Sequence, residues 1–240
     1  MDPICFDWDG TLFDSIGALY RANVAVMAAF GLPFDEPAYR RHFDPDWRVM
    51  YRNLGVPGSR LDEANAVWHA RFDADAAIGL LPGAAEALET LAAAGHPLGL
   101  VTSGHRSIVE PQLRRTGLDG RFAVCVFGDR LPVHKPDPAP LRLALRELGV
   151  ADAPERAIHV GDTPADMTMA RRAGTRAVGV ASLLGDPDAL RQAGAEEVWP
   201  SVAAWVQARA GAGVPRPAPD DRRSVGEGAI RGRPTEPHRA

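Results

Sequence analysis

Lysine is almost missing from this chain. Of its 27 lysine and arginine residues, 26 are arginine and one, Lys135, is lysine. The net charge is −4, and both signs are scattered along the sequence. Nucleic-acid-binding proteins typically carry a clustered basic face, so this pattern predicts no nucleic-acid partner.

Long apolar runs are also missing, since none approaches the ~20 residues that a membrane-spanning helix needs. The first ten residues, "MDPICFDWDG", lack the basic and apolar regions of a secretory signal. The only two cysteines, Cys5 and Cys125, lie in short apolar runs, and we expect buried thiols rather than a disulfide framework. These absences predict a cytoplasmic protein without a membrane partner, either a monomer or a homodimer.

Short apolar runs alternate with helical patterns along most of the chain. The runs, bounded by Gly, Asp or Pro, predict strands at 3–7, 97–103, 123–128, 157–161 and 176–181. Apolar residues at helical spacing predict helices at 83–94, 106–116, 138–148, 164–173 and 187–193. This alternation predicts an α/β fold, with a Rossmann-like parallel sheet as the middle of three α/β/α layers.

Residues 15–80 interrupt the alternation, because they contain only helical patterns, for example at 16–30 and 61–75. We expect an inserted helical cap domain there, above the carboxyl ends of the strands, and a core domain formed by 1–14 and 81–210. The tail, 211–240, is rich in Pro, Gly and charge, which predicts disorder.

Acidic side chains follow two of the predicted strands. Asp7 and Asp9 end the first, and Gly10 permits a sharp turn after them. Asp162 ends the fourth strand, and Asp166 follows just inside the next helix. Carboxylates gathered at one edge of a sheet repel one another unless a cation lies among them, and hard oxygen ligands suit Mg²⁺.

Groups suited to phosphate lie at the other strand ends. Thr102 and Ser103 supply hydroxyls and are followed by Gly104 and a helix start, a combination that favours an anion. Lys135 adds a compact charge. Carboxylates, a metal, hydroxyls and one cation fit phosphoryl transfer, in which a carboxylate can attack phosphorus.

Four segments in this order, "DWDGTLFDS", "VTSG", "KPDP" and "GDTPAD", resemble the motifs of the haloacid dehalogenase-like hydrolase superfamily over about residues 3–205. The resemblance implies that Asp7 is the nucleophile and that Asp9 is the general acid/base, with its backbone carbonyl on Mg²⁺. It implies that Asp162 is a metal ligand and that Asp166 is a ligand or its partner. The implied metal set is therefore Asp7, Asp9, Asp162 and Asp166.

The same resemblance implies a phosphate-binding set. Thr102 would hold the phosphoryl group with the Ser103 and Gly104 amides, and Lys135 would bridge nucleophile and phosphate. Gly10 belongs to this set as well. Thr102 and Lys135 would thus join Asp7 and Asp9 in catalysis.

Several activities share these motifs. Dehalogenating members lack an acid at the position of Asp9, and phosphonate-cleaving members use a cap lysine, which 15–80 lacks. A Mg²⁺-dependent phosphatase of a small phosphorylated metabolite, similar to phosphoglycolate phosphatases, is favoured. A sugar phosphate mutase of the beta-phosphoglucomutase type stays open. A phospho-receiver module is disfavoured because a receiver needs no cap.

The remaining candidates are less specific. Arg21, Arg48 and Arg52 could recognise a second anionic group of the substrate. Either Asp14 or Ser15 is expected to cap the first cap helix. We expect four aromatic residues and one histidine to belong to the core: Tyr20, Trp47, Tyr51, Trp68 and His159. Two further histidines, His105 and His134, are expected to support the site without taking part in the chemistry.

Overall fold

Six short strands form one parallel sheet in the computed structural model, which describes residues 1–72 and 78–211. Their spatial order is β3-β2-β1-β4-β5-β6. The first five confirm the predicted strands, and β6 was not predicted. The strands are β1 Ile4–Phe6, β2 Leu98–Val101, β3 Val124–Val126, β4 Ile158–Gly161, β5 Arg176–Val180 and β6 Glu197–Trp199.

Helices follow or separate these strands. In the core they are α5 Ala84–Ala93, α6 Arg106–Arg115, α7 Ala139–Glu147, α8 Pro164–Ala173, α9 Pro187–Ala193 and α10 Val202–Gly211. Between β1 and α5 lie α1 Ile16–Ala29, α2 Glu36–His42, α3 Trp47–Asn53 and α4 Leu61–Phe72. The predicted core helices are confirmed within a few residues at each end.

The sheet is covered on both faces. Since side chains alternate along a strand, Phe6 packs on one face with Leu88 of α5. Cys5 packs on the other face with Leu141 of α7 and Met167 of α8. The α/β/α layering is therefore confirmed.

The two thiols differ in their surroundings. Burial raises the pKa of Cys5 to about 12, as expected for a core thiol. Cys125 is only partly buried, contrary to the prediction, because β3 is an edge strand paired with β2 alone. Burial still raises its pKa.

The helices α1 to α4 have a hydrophobic cluster of their own, which includes Val26, Met27, Tyr39 and Met50. The helical patterns at 16–30 and 61–75 correspond to α1 and α4, and 73–75 lie outside the described residues. The short helices α2 and α3 were not predicted. The boundaries of the cap and core domains stay predictions.

The end of the described chain adds to the core. Val202, Trp205 and Val206 of α10 are buried against the first face of the sheet. The predicted disordered tail, apart from Gly211, lies outside the described residues. Among the described helices, none is both long and apolar enough to span a membrane.

Candidate active site

The first pair of acids is placed by the register of β1 and β4. Phe6 pairs with Val160, and the Asp7 N–H donates to the Val160 carbonyl at 2.9 Å. Trp8 turns into the core, where its Nε1 donates to Gln112 Oε1 at 2.7 Å. Asp7 and Asp9 therefore face the same cavity, as their spacing predicted.

Glycine is required at two points beneath the acids. Gly10 has φ +76°, and a Cβ there would collide with Oδ2 of Asp162. A Cβ on Gly161 would collide with the Asp166 carboxyl group. The backbone approaches both carboxylates closely, which fixes their positions. Gly10 thus contacts Asp162, and its part in phosphate binding stays a prediction.

Three buried carboxylates converge where the strand order reverses, at the crevice between β1 and β4. One oxygen from each of Asp7, Asp162 and Asp166 lies within 4.8 Å of the other two. Burial, assisted by the neighbouring acids, raises the pKa of Asp7 to about 7 and that of Asp162 well above its ordinary value. Such a donor set fits a divalent cation, which would offset the repulsion.

Asp9 differs from these three. Its side chain accepts a hydrogen bond from the Ser15 hydroxyl and does not belong to the carboxylate cluster. Burial raises the pKa of its carboxyl group. Ser15, one of the two residues expected to cap α1, occupies the N-cap position but makes no side-chain cap hydrogen bond, because its hydroxyl donates to Asp9.

Lys135 lies inside the carboxylate cluster. Its Nζ is 2.6 Å from Asp7 Oδ1 and 2.7 Å from Asp166 Oδ1. Burial opposes its charge, but the two carboxylates outweigh burial and raise the pKa of Lys135 above its ordinary value. The one lysine of the chain thus joins the predicted nucleophile to a second acid.

Hydrogen bonds surround Asp166 on both oxygens. Oδ1 contacts Lys135 and lies 3.0 Å from His159 Nε2, while Oδ2 accepts from the Thr163 hydroxyl at 2.6 Å and from its N–H at 3.2 Å. Although burial opposes its charge, Lys135 and His159 hold the pKa of Asp166 below its ordinary range. His159 was expected to be only a core residue. Its ring contacts the site instead, because side chains on β4 reach the helix that follows.

Two hydroxyl groups near Asp162 were not predicted. Ser182 Oγ donates to Asp162 Oδ2 at 2.6 Å, and Thr11 Oγ1 lies 3.4 Å from Asp162 Oδ1. Ser182 follows β5, so the rule that led to the other strand ends would have found it. No comparable signal distinguishes Thr11.

The predicted phosphate-binding hydroxyl lies at the end of β2. The Gly104 N–H donates to Thr102 Oγ1 at 2.9 Å, so the hydroxyl hydrogen of Thr102 is available for another acceptor. Thr102, Ser103, Gly104 and Lys135 all line the cavity that Asp7 and Asp9 face.

This cavity, about 250 Å³, lies between the strand ends and the helices α1 to α4. Of the three candidate arginines, Arg48 lines it, whereas Arg21 and Arg52 do not. His105 lines it and His134 does not. Three aromatic residues that we expected only in the core also line the cavity: Trp47, Tyr51 and Trp68. The fourth, Tyr20, does not line it.

Comparison with known proteins identifies one family and several similar phosphatases. The family model described as haloacid dehalogenase-like hydrolase matches residues 4–180. Over 188 residues the chain is 35% identical to the phosphoglycolate phosphatase of Rhodospirillum rubrum, covering 73% of this chain and 77% of that protein. It is 32% identical over 186 residues to phosphoglycolate phosphatase 1 of Pseudomonas aeruginosa, covering 72% of this chain and 66% of the relative, just under two thirds of its length.

A solved structure extends the likeness over more of the chain. The crystal structure of a Thermotoga maritima protein, provisionally described as a beta-phosphoglucomutase, superposes with a TM-score of 0.69 at 28% identity. The superposition covers 88% of this chain and 99% of that one.

Proposed function

From the premise that this chain belongs to the haloacid dehalogenase-like hydrolases, we propose that it is a Mg²⁺-dependent phosphatase of a small phosphate monoester, acting through an aspartyl phosphate. One observation carries the proposal: Lys135 bonds to Asp7 in a crevice that also holds Asp162 and Asp166. The named phosphatases among its relatives support a phosphate monoester as the substrate.

The donor set names the residues that would hold the metal. Asp7 and Asp162 supply carboxylate oxygens, and the backbone carbonyl of Asp9 would complete the protein's share. Each oxygen of Asp166 already has two polar partners, whereas each oxygen of Asp162 has one, so we assign Asp166 to positioning Lys135 beside the metal. When bound, Mg²⁺ would supply positive charge that keeps Asp7 ionised and offsets the charge of the phosphoryl group.

Asp7 is the proposed nucleophile. Lys135 holds Oδ1, which orients the carboxylate and leaves Oδ2 as the attacking atom. The new bond joins Oδ2 to phosphorus while the bond from phosphorus to the leaving alcohol oxygen breaks. Lys135 and the Thr102 hydroxyl would contact the phosphoryl oxygens, for which their places at the cavity wall are suited.

Asp9 is the proposed acid and base. Its raised pKa suits a carboxyl group that starts protonated and gives its proton to the leaving oxygen. The resulting carboxylate then takes a proton from water, whose oxygen bonds to phosphorus as the bond to Asp7 breaks. The products are inorganic phosphate and free Asp7, and the Ser15 hydroxyl keeps Asp9 aimed throughout.

A sugar phosphate mutase is the second candidate, supported by the Thermotoga maritima structure. In a mutase the phosphoryl group on Asp7 passes to a sugar hydroxyl instead of water. Incubation with β-glucose 1-phosphate separates the two, because a mutase forms glucose 6-phosphate and a phosphatase forms glucose and phosphate.

Replacement of Asp7 tests the proposal. Asp7→Asn should abolish phosphate release from p-nitrophenyl phosphate in Mg²⁺, because an amide cannot carry the phosphoryl group. Excess EDTA should abolish phosphate release by the parent protein, because it removes the metal. Asp119→Asn, an exposed acid on the surface, serves as the matched control and should keep full activity. Near-normal turnover by Asp7→Asn would contradict the mechanism, and turnover in EDTA would contradict the metal.

A further inference from the structure

The cap side of the cavity is aromatic. Six aromatic rings from α2, α3, α4 and the segment between α2 and α3 line it, and we call them the aromatic roof: Tyr39, Phe43, Trp47, Tyr51, Trp68 and Phe72. A ligand site made of aromatic walls and a few polar groups binds apolar bodies and uses the polar groups for orientation.

The six rings of the roof form three contacting pairs. Trp68 stacks on Phe72 with ring centroids 4.5 Å apart, and Trp47 meets Tyr51 edge to face at 5.8 Å. Tyr39 and Phe43 are 5.8 Å apart in the same manner. Such pairs hold each other in defined orientations, so the roof presents ring surfaces of fixed position to a ligand.

The polar end of Tyr51 is already paired. Its hydroxyl donates to Asn23 Oδ1 at 2.8 Å. What the Tyr51 side chain offers to the cavity is therefore mainly ring surface.

Positive charge is sparse on the cap side of the cavity. Of the arginines on α1 to α4, Arg48 is the one that lines the described cavity, and it is an exposed residue whose guanidinium stacks over the Trp47 ring at 4.3 Å. Asp44 lines the same side with the opposite charge, and the half-buried imidazole of His69 on α4 also lines it. A substrate carboxylate placed under the roof would lose its water without gaining a buried lysine or arginine from α1 to α4, which is costly.

We infer that the substrate's leaving group is an apolar, ring-bearing alcohol that contacts the aromatic roof, rather than a carboxylate-bearing fragment such as that of phosphoglycolate. The inference rests on the proposed phosphatase function and narrows its substrate. The cavity, about 250 Å³, is many times the ~10–15 Å³ that one water needs, so it has room for more than a phosphoryl group.

Three alkyl phosphates of similar intrinsic reactivity test the inference: 2-phenylethyl phosphate, glycerol 3-phosphate and 2-phosphoglycolate. With Mg²⁺ present, kcat/KM from phosphate release should be at least about tenfold higher for the phenylethyl ester, because its ring is buried against the roof. Equal or higher kcat/KM for phosphoglycolate would overturn the inference while leaving the phosphatase intact. If none of the three esters and no p-nitrophenyl phosphate is hydrolysed, the proposed function fails as well.

Three cap variants test which residues contact the substrate. Trp47→Leu should raise KM for 2-phenylethyl phosphate by about tenfold, with a smaller change for glycerol 3-phosphate, whose turnover also shows that the variant is folded. Phe30→Leu, a cap aromatic outside the cavity lining, is the matched control and should not change the ratio of the two substrates. Arg48→Gln separates the alternatives: a selective loss with phosphoglycolate would assign Arg48 to a substrate carboxylate and overturn the inference.

Discussion

The two sides of the cavity are built from different chemistry. The core side carries Asp7 at the end of β1 and Lys135 in the loop between β3 and α7, with Asp162 next to them, and each is a charged group in a buried place. The cap side consists of helix faces whose contribution is mainly aromatic rings. The core side therefore has the groups that the proposed reaction needs, whereas the cap side presents mainly apolar ring surface, to which we assign the selection of the substrate.

The difference also separates what mutations should do. A change on the core side should lower turnover of every phosphate ester by a similar factor, because all esters share the reacting group. A change in the aromatic roof should instead alter the ratio between substrates.

Lys135→Arg should lower kcat by at least about a hundredfold for 2-phenylethyl and glycerol phosphates alike, since it disturbs preorganised charge at the reacting group. The ammonium lies 2.6 Å from Asp7 and 2.7 Å from Asp166, and a planar guanidinium cannot reproduce this compact contact in the buried space. Steady-state phosphate release gives kcat for each of the two substrates.

Arg114→Lys provides the control, because it reverses the exchange at an exposed residue on α6 and should leave kcat unchanged. If Lys135→Arg leaves kcat as unchanged as Arg114→Lys does, the single lysine has no special role at the site. If Lys135→Arg lowers kcat for only one of the two substrates, the proposed contrast between the core side and the cap side is wrong.

The core side was predictable because its signals are local in sequence. A short apolar run ends in an acid, parallel strands bring such ends to one edge, and Asp7 and Asp162 meet there without any knowledge of side-chain packing. Ser182 obeys the same rule, because it follows the end of β5. The edge strand β6 is not apparent in the sequence because two glutamates, Glu196 and Glu197, leave no apolar run of the kind that contains β1 and β3.

The cap side was not predictable in this way. Trp47 and Trp68 belong both to the cap's hydrophobic cluster and to the cavity wall, and a sequence pattern reports only that they are apolar. Which ring faces the cavity depends on how α3 and α4 pack, which is a tertiary property. The helices α2 and α3 have seven residues each, and no predicted strand lies next to them to mark their ends, whereas the equally short α9 follows β5.

Ser182→Ala should have an intermediate effect on the core side. Its hydroxyl donates to Asp162 at 2.6 Å and fixes the orientation of a proposed metal ligand, and such supporting bonds typically contribute about 10–100-fold in metal affinity. We expect the Mg²⁺ concentration for half-maximal activity to rise about tenfold, with kcat restored at saturating Mg²⁺. The control is Ser107→Ala, at an exposed serine of α6, which should leave the Mg²⁺ dependence unchanged. If Ser182→Ala also leaves the Mg²⁺ dependence unchanged, Asp162 is not a metal ligand.

The smallest expected effect concerns stability and has the opposite sign to the effect on activity. Burial and neighbouring acids raise the pKa of Asp7 from 3.8 to about 7, so ionising it in the metal-free folded state costs free energy. A raised folded-state pKa gives stability that is present below pH 3.8 and is lost as pH rises through about 7. In EDTA, Asp7→Asn lacks this loss, while its amide oxygen can still accept from Lys135.

The melting temperature of Asp7→Asn should therefore exceed that of the parent by about 2–4 °C at pH 8, corresponding to about 1 kcal/mol, and by less at pH 5. Thermal unfolding followed by circular dichroism in EDTA measures the difference. Added Mg²⁺ should reverse the order at pH 8, because it binds the parent's carboxylate and stabilises that folded state. A difference independent of pH would mean that Asp7 does not titrate between pH 5 and pH 8 in the folded protein, so that the repulsion among the core-side carboxylates is offset without a metal.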